Sequence, residues 1–168
     1  MPRVPVAHVA LGSNLGDRLG ALRSAVQALG AYGSVIARSS VWETAAEGPP
    51  PDYLNAAVAL DTALAPEALL DALLEIERRH GRVRPEGESA APRTLDLDLL
   101  LYGDVVADTP RLSLPHPRLH LRAFVLAPLS EIAGDVLHPL LHRSIKALFS
   151  SLAPMSGTSS VRRLDDPL

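Results

Sequence analysis

Residue types alternate along Arg93-Thr94-Leu95-Asp96-Leu97-Asp98-Leu99-Leu100-Leu101. In a strand, Leu95, Leu97, Leu99 and Leu101 point into a core, while Asp96 and Asp98 point the other way, side by side. Adjacent like charges on one strand face repel each other. A hard cation relieves the repulsion: Mg2+ takes one or two carboxylates and completes its shell with phosphate oxygens. The same pattern also fits a half-exposed strand with a solvated acidic face, so the alternation alone leaves both readings open.

Three further segments carry groups suited to a substrate. Leu114-Pro115-His116-Pro117-Arg118-Leu119-His120-Leu121-Arg122 sets two histidines and two arginines between prolines. These are donors of the kind a phosphoryl group needs, or the contents of a polar surface loop. His116 and His120 share the i, i+4 spacing of a zinc pair, but the prolines oppose a helix and the motif's glutamate is missing. Tyr53 and Asn55 lie on one strand face, where a ring and an amide can stack on and bond to a flat heterocycle; a sheet face covered by a helix would look the same. Glu77 to Arg84 closes a helix and enters a loop with Arg82 and Arg84, either phosphate-capturing groups or cations drawn to a helix C-terminus. Gly12-Ser13-Asn14-Leu15-Gly16-Asp17 lacks the lysine of a P-loop and the glycine spacing of a dinucleotide fold, and reads as a strand-to-helix turn.

The elements that must position these groups follow from periodicity. Val6 to Leu11 reads as a strand, and Leu15 to Leu29 as a helix stopped at Gly30. Ser34 to Thr44 reads as a second strand and Tyr53 to Thr62 as a third, separated by the proline-rich loop Ala45 to Pro51. Pro66 opens a helix with the stripe Leu69, Leu73, Ile76 and His80. A mobile loop, Arg82 to Pro92, precedes a fourth strand, Thr94 to Tyr102. Strand, helix, strand, strand, helix, strand is the ferredoxin-like βαββαβ order, so the expected class is α+β, an antiparallel sheet with helices packed on it. Val105 to Leu114 adds a hairpin or edge strand, and Arg122 to Ile132 and Ser144 to Leu152 add C-terminal helices. The expected domain is 1–152, followed by a loosely structured tail, 153–168.

Composition narrows the classes. The chain has 168 residues, enough for one domain with its own core, and no cysteine, which excludes disulfides and thiolate metal sites and fits a reducing, cytoplasmic setting. A net charge of −3 argues against a nucleic-acid binder, and the N-terminal apolar run is too short for a membrane span. A sheet-face nucleic-acid module would want a basic face, where this chain offers Asp96 and Asp98. An ordinary Mg2+ kinase would share the same carboxylates and arginines.

In order along the chain, Leu11-Gly12-Ser13-Asn14-Leu15, Tyr53-Leu54-Asn55-Ala56, Gly81-Arg82-Val83-Arg84, Pro92-Arg93-Thr94-Leu95-Asp96-Leu97-Asp98 and Pro115-His116 through Arg122-Ala123-Phe124 resemble the 6-hydroxymethyl-7,8-dihydropterin pyrophosphokinases of folate biosynthesis. The resemblance implies an enzyme that transfers diphosphate from ATP to the pterin; a monomer is expected. It implies that Asp96 and Asp98 hold two Mg2+ ions and, with Arg82 and Arg93, form the catalytic set. ATP would meet Glu77, Arg84, Leu99, Arg111, Ser113, His116 and Arg122. The pterin would meet Thr44, Tyr53, Asn55 and Phe124. The stretch 85–92 holds neither the tryptophan nor the extra arginine of some members, and Pro117 stands where some have tyrosine.

Overall fold

The computed structural model describes residues 5–44, 52–81, 95–152 and 161–168. The expected loops at 45–51 and 82–92 lie outside the described residues, as do Arg82, Arg84 and Arg93. The chain runs β1 (Val6–Ser13), α1 (Arg18–Leu29), β2 (Ser34–Arg38), β3 (Trp42–Thr44), β4 (Tyr53–Asp61), α2 (Pro66–Arg79), β5 (Asp96–Tyr102), β6 (Ala107–Asp108) and β7 (Ser113–Leu114). A 3-10 turn (Leu119–Leu121), α3 (Ala123–Ala133), α4 (Ile145–Leu152) and β8 (Val161–Arg163) complete it.

The main sheet has the order β5-β1-β4-β3-β8, with β2 also on β4, and its pairings are antiparallel. This is the ferredoxin-like arrangement expected from the element order. Alternation along the strands builds two cores. Val9 and Leu11 of β1, Leu54, Val58 and Leu60 of β4, and Leu97 and Leu99 of β5 meet Leu22, Val26 and Leu29 of α1 and Leu69, Leu73 and Ile76 of α2. On the other face Ala57 and Leu100 meet Val125, Leu126 and Leu129 of α3 and Leu148 of α4.

Local chemistry sets the element ends. Asp17 caps α1 by accepting from the Gly20 N–H at 3.0 Å. Pro66 opens α2 at a position whose N–H has no helical partner to lose. The outer edge of β5 is covered: the Leu97 N–H donates to the Glu77 carboxylate at 2.8 Å, and the Leu100 carbonyl accepts from the His116 N–H at 2.9 Å.

Four expectations change. Leu101 does not follow Leu99: the β1–β5 register shifts between His8 and Val9, one extra residue enters β5, and Leu100 and Leu101 both join the second core. The strand expected over 34–44 is two strands. A second register shift bulges out Ile36, and Ser39 takes over the ladder, its N–H donating to Ala57 O and its Oγ accepting from Ala57 N. Gly12 and Ser13, read as a turn, lie in β1. Within the expected loose tail, residues 161–163 form β8 on the edge of β3, and Leu164 and Leu168 pack on the first core.

Candidate active site

The face of the sheet toward α3 carries a row of four residues from four strands. Asp96 of β5 pairs with Gly12 of β1, Gly12 pairs with Asn55 of β4, and Asn55 pairs with Trp42 of β3. Asp98 pairs with Ala10 one step along. The acidic end and the amide end of one surface are thus bridged by a residue with no side chain. A Cβ on Gly12 would lie 3.2 Å from Asn55 Oδ1 and 3.7 Å from Tyr53 Cδ1, so glycine keeps the floor open between them.

At the amide end Asn55 is buried, and its Nδ2 donates to the hydroxyl of Thr44, also buried, at 2.8 Å. That bond fixes which way the amide presents its oxygen. Tyr53 pairs with Thr44 and shares the Asn55 face. Trp42 is tied to α3, its indole N–H donating to Glu131 at 2.6 Å, and the Ser40 hydroxyl donates to the same carboxylate at 2.8 Å. Alternation alone put Tyr53 and Asn55 on one face; it did not bring Trp42 and Gly12 to the same row. A glycine inside a strand is a sign of close approach and could have marked Gly12.

At the acidic end the segment before α3 supplies the donors. His116 follows a cis Leu114–Pro115 peptide, and its backbone N–H is held on Leu100 O. Burial lowers its pKa, and the charges of Arg122 and Arg118 push the same way against the carboxylate of Asp96. Its imidazole is therefore neutral near pH 7. Nδ1 accepts the Arg118 N–H at 3.1 Å, which leaves the proton on Nε2 as a donor suited to a phosphate oxygen. The Arg122 guanidinium sits 5.5 Å from the centre of the Phe124 ring, fixing a cation and an aromatic at the start of α3.

Asp96 and Asp98 fit a Mg2+ that is completed by its ligand. Both are half-buried on one strand face and offer only hard oxygens. Two carboxylates with hard oxygens match what Mg2+ takes when phosphate oxygens complete its shell.

The remaining expected residues are not gathered on this face. Glu77 and Leu99 are buried between α2 and β5, on the side of α1 and α2. Arg111, in the β6–β7 hairpin, is exposed and ion-paired with Asp71 of α2, which raises its pKa. Ser113 pairs with Asp108 in the small second sheet.

The family model for 7,8-dihydro-6-hydroxymethylpterin-pyrophosphokinase matches residues 8–134. The 2-amino-4-hydroxy-6-hydroxymethyldihydropteridine pyrophosphokinase of Synechocystis sp. is 43% identical, over 87% of this chain and 75% of its own. That of Haemophilus influenzae is 42% identical, over 79% of this chain and 84% of its own. Among solved structures, a chain described as HPPK-DHPS in complex with substrates superposes with a TM-score of 0.76 at 14% identity, over 98% of this chain and 47% of that one. Plasmodium falciparum HPPK-DHPS A437G gives a TM-score of 0.75 at 16% identity, over 97% and 49%. The chain therefore spans about half the length of these solved chains, and at such identity they bear on the fold alone. From the family match, the relatives and the strand row that carries the matching residues, this chain belongs to the 7,8-dihydro-6-hydroxymethylpterin-pyrophosphokinase family.

Proposed function

We infer that the protein transfers diphosphate from ATP to 6-hydroxymethyl-7,8-dihydropterin, giving AMP and the pterin diphosphate, a step of tetrahydrofolate biosynthesis. One observation carries the mechanism: a single sheet face sets Asp96 and Asp98 at one end and Asn55 at the other, with Gly12 between.

Asn55, fixed by Thr44, reads the polar edge of the pterin, and Tyr53 and Phe124 cover its ring. Asp96 and Asp98 hold Mg2+, as the pair of ions that the resemblance implies. When bound, Mg2+ supplies charge neutralisation and in-line orientation of the phosphates. His116, through Nε2–H, and Arg122 bond phosphate oxygens and stabilise the charge that develops on them. The pterin hydroxymethyl oxygen forms a bond to the β-phosphorus. The bond from that phosphorus to the oxygen bridging the α-phosphorus breaks, and AMP leaves with that oxygen. The hydroxyl proton passes to Asp98, a carboxylate of this face. Arg82, Arg84 and Arg93 assist transfer. The base of ATP lies along the outer edge of β5, bordered by Glu77, Leu99, Arg111 and Ser113. We place this chemistry in one domain, of which β8 is a part, in a cytoplasmic monomer. Among the described residues no helix is long and apolar enough to cross a membrane.

The test is to incubate the protein with ATP, Mg2+ and 6-hydroxymethyl-7,8-dihydropterin and separate the nucleotides. AMP formed in step with the pterin diphosphate supports diphosphate transfer. ADP would mean attack at the γ-phosphorus and overturn it.

A further inference from the structure

The described part of the C-terminal segment is tied to the strand that carries Thr44, and it lies beyond the residues matched by the family model. β8 pairs with all of β3, Thr44 opposite Val161 and Trp42 opposite Arg163. Without it, a strand of three residues would be the edge of the main sheet beyond β4. The segment is anchored at its far end too. The Leu164 N–H donates to Val41 O at 2.8 Å, and the Arg23 guanidinium of α1 donates twice to Pro167 O, at 3.0 and 2.7 Å.

Glu43 joins this segment to the site. Trp42 and Thr44 face α3, so alternation turns Glu43 toward α1. Its Oε1 accepts from Arg162 of β8 at 2.5 Å and its Oε2 from Arg18 of α1 at 3.0 Å. Arg18 NH1 also donates to the carbonyl of Asp52 at 2.7 Å. One guanidinium thus ties the residue before Thr44 to the residue before Tyr53. Thr44 and Tyr53 are themselves cross-strand partners. The capped first turn of α1 holds Arg18 in place.

We propose that residues 161–168, acting through Arg162, Glu43 and Arg18, are a positioning clamp for the pterin end of the site. The clamp sets the separation of Thr44 and Tyr53 and, through the Thr44 hydroxyl, the orientation of the Asn55 amide. None of the three charged residues touches substrate in this role. The proposal rests on the placement of the pterin at Thr44 and Asn55.

The variants Glu43→Gln, Arg162→Ala and Arg162→Lys are compared with Asn55→Ala for pterin KM, ATP KM, kcat and Tm. A displacement of a few tenths of an ångström at Asn55 is a fraction of the 1 Å that costs ~10²-fold, so pterin KM rises roughly 3- to 10-fold in Glu43→Gln and Arg162→Ala. ATP KM stays within about two-fold and Tm within ~4 °C, because Arg162 is exposed and Glu43→Gln keeps an oxygen that can still accept from Arg18. Arg162→Lys restores much of the pterin affinity. Pterin KM unchanged, or both KM values rising together, overturns the clamp. If Asn55→Ala weakens pterin binding and the clamp variants do not, the clamp alone fails. If Asn55→Ala also leaves pterin KM unchanged, the pterin placement fails and the clamp with it.

Discussion

Gly12→Ala separates what the sheet needs for stability from what it needs for function. The added methyl would sit 3.2 Å from Asn55 Oδ1, 3.7 Å from Tyr53 Cδ1 and 3.8 Å from Leu54 O. The last two are ordinary contacts; the first is too close by a few tenths of an ångström. Asn55 cannot swing clear without breaking its 2.8 Å bond to Thr44. The amide therefore shifts by about 0.3 Å, and if 1 Å of misplacement costs ~10²-fold, that shift costs ~4-fold in pterin affinity. Alanine in place of glycine in a strand gains about 0.5–1 kcal/mol of backbone entropy, and the contact with Asn55 takes back part of it. Folding stability should hold to within about 1 kcal/mol, a Tm change of at most ~4 °C. Steady-state kinetics with each substrate varied in turn, together with calorimetry, reads both quantities. A pterin KM equal to that of the parent, or a loss of pterin affinity matched by a fall of many degrees in Tm, would refute the reasoning.

Asp96→Asn and Asp98→Asn should each lower turnover by ~10²–10³-fold or more, the scale for losing one preorganised electrostatic contact. Near-normal turnover in either variant contradicts the metal pair. Glu77→Ala strands the buried Leu97 N–H and should cost about 2–3 kcal/mol in urea unfolding, more than Glu77→Gln, which keeps an acceptor for that bond. Equal costs would show that the carboxylate is not there for that bond. His8 is buried, and desolvation lowers its pKa from 6.5 to about 4. Its folded-state pKa lies below the unfolded one, so the unfolded chain takes up the proton first. Stability is full above about pH 6.5, falls as pH drops toward 4, and levels off below that. Between pH 7 and pH 5 this amounts to about 2 kcal/mol, and His8→Met should remove that share of the acid loss. Parallel acid limbs in the two proteins would contradict it.

The parts of the fold that follow from short-range pattern were legible in the sequence. The two-residue period put Asp96 and Asp98 on one face and Tyr53 and Asn55 on one face, and the helical stripe placed Leu69, Leu73 and Ile76 in the core. The features that were missed depend on partners distant in sequence. Leu101 changes face because one extra residue enters β5 against β1, and a run of leucines carries no mark of where that residue falls. The break at Ser39 depends on a hydroxyl reaching Ala57. β8 depends on Arg162 finding Glu43 across 119 residues, and nothing in the composition of the segment from 153 onward announces a strand. Glu77 stands beside an apolar stripe, and nothing in that stripe announces that its carboxylate closes the edge of β5, the strand that bears both aspartates.

The most direct test of the two-ended sheet face is a crystal structure of the protein with Mg2+, a non-hydrolysable ATP analogue and 6-hydroxymethyl-7,8-dihydropterin. The pterin should bond Asn55, the phosphates should reach Asp96 and Asp98 through the ion and His116 directly, and the hydroxymethyl oxygen should point at the β-phosphorus over Gly12. A pterin bound away from Asn55, or phosphates held with neither aspartate within reach of the ion, would contradict it.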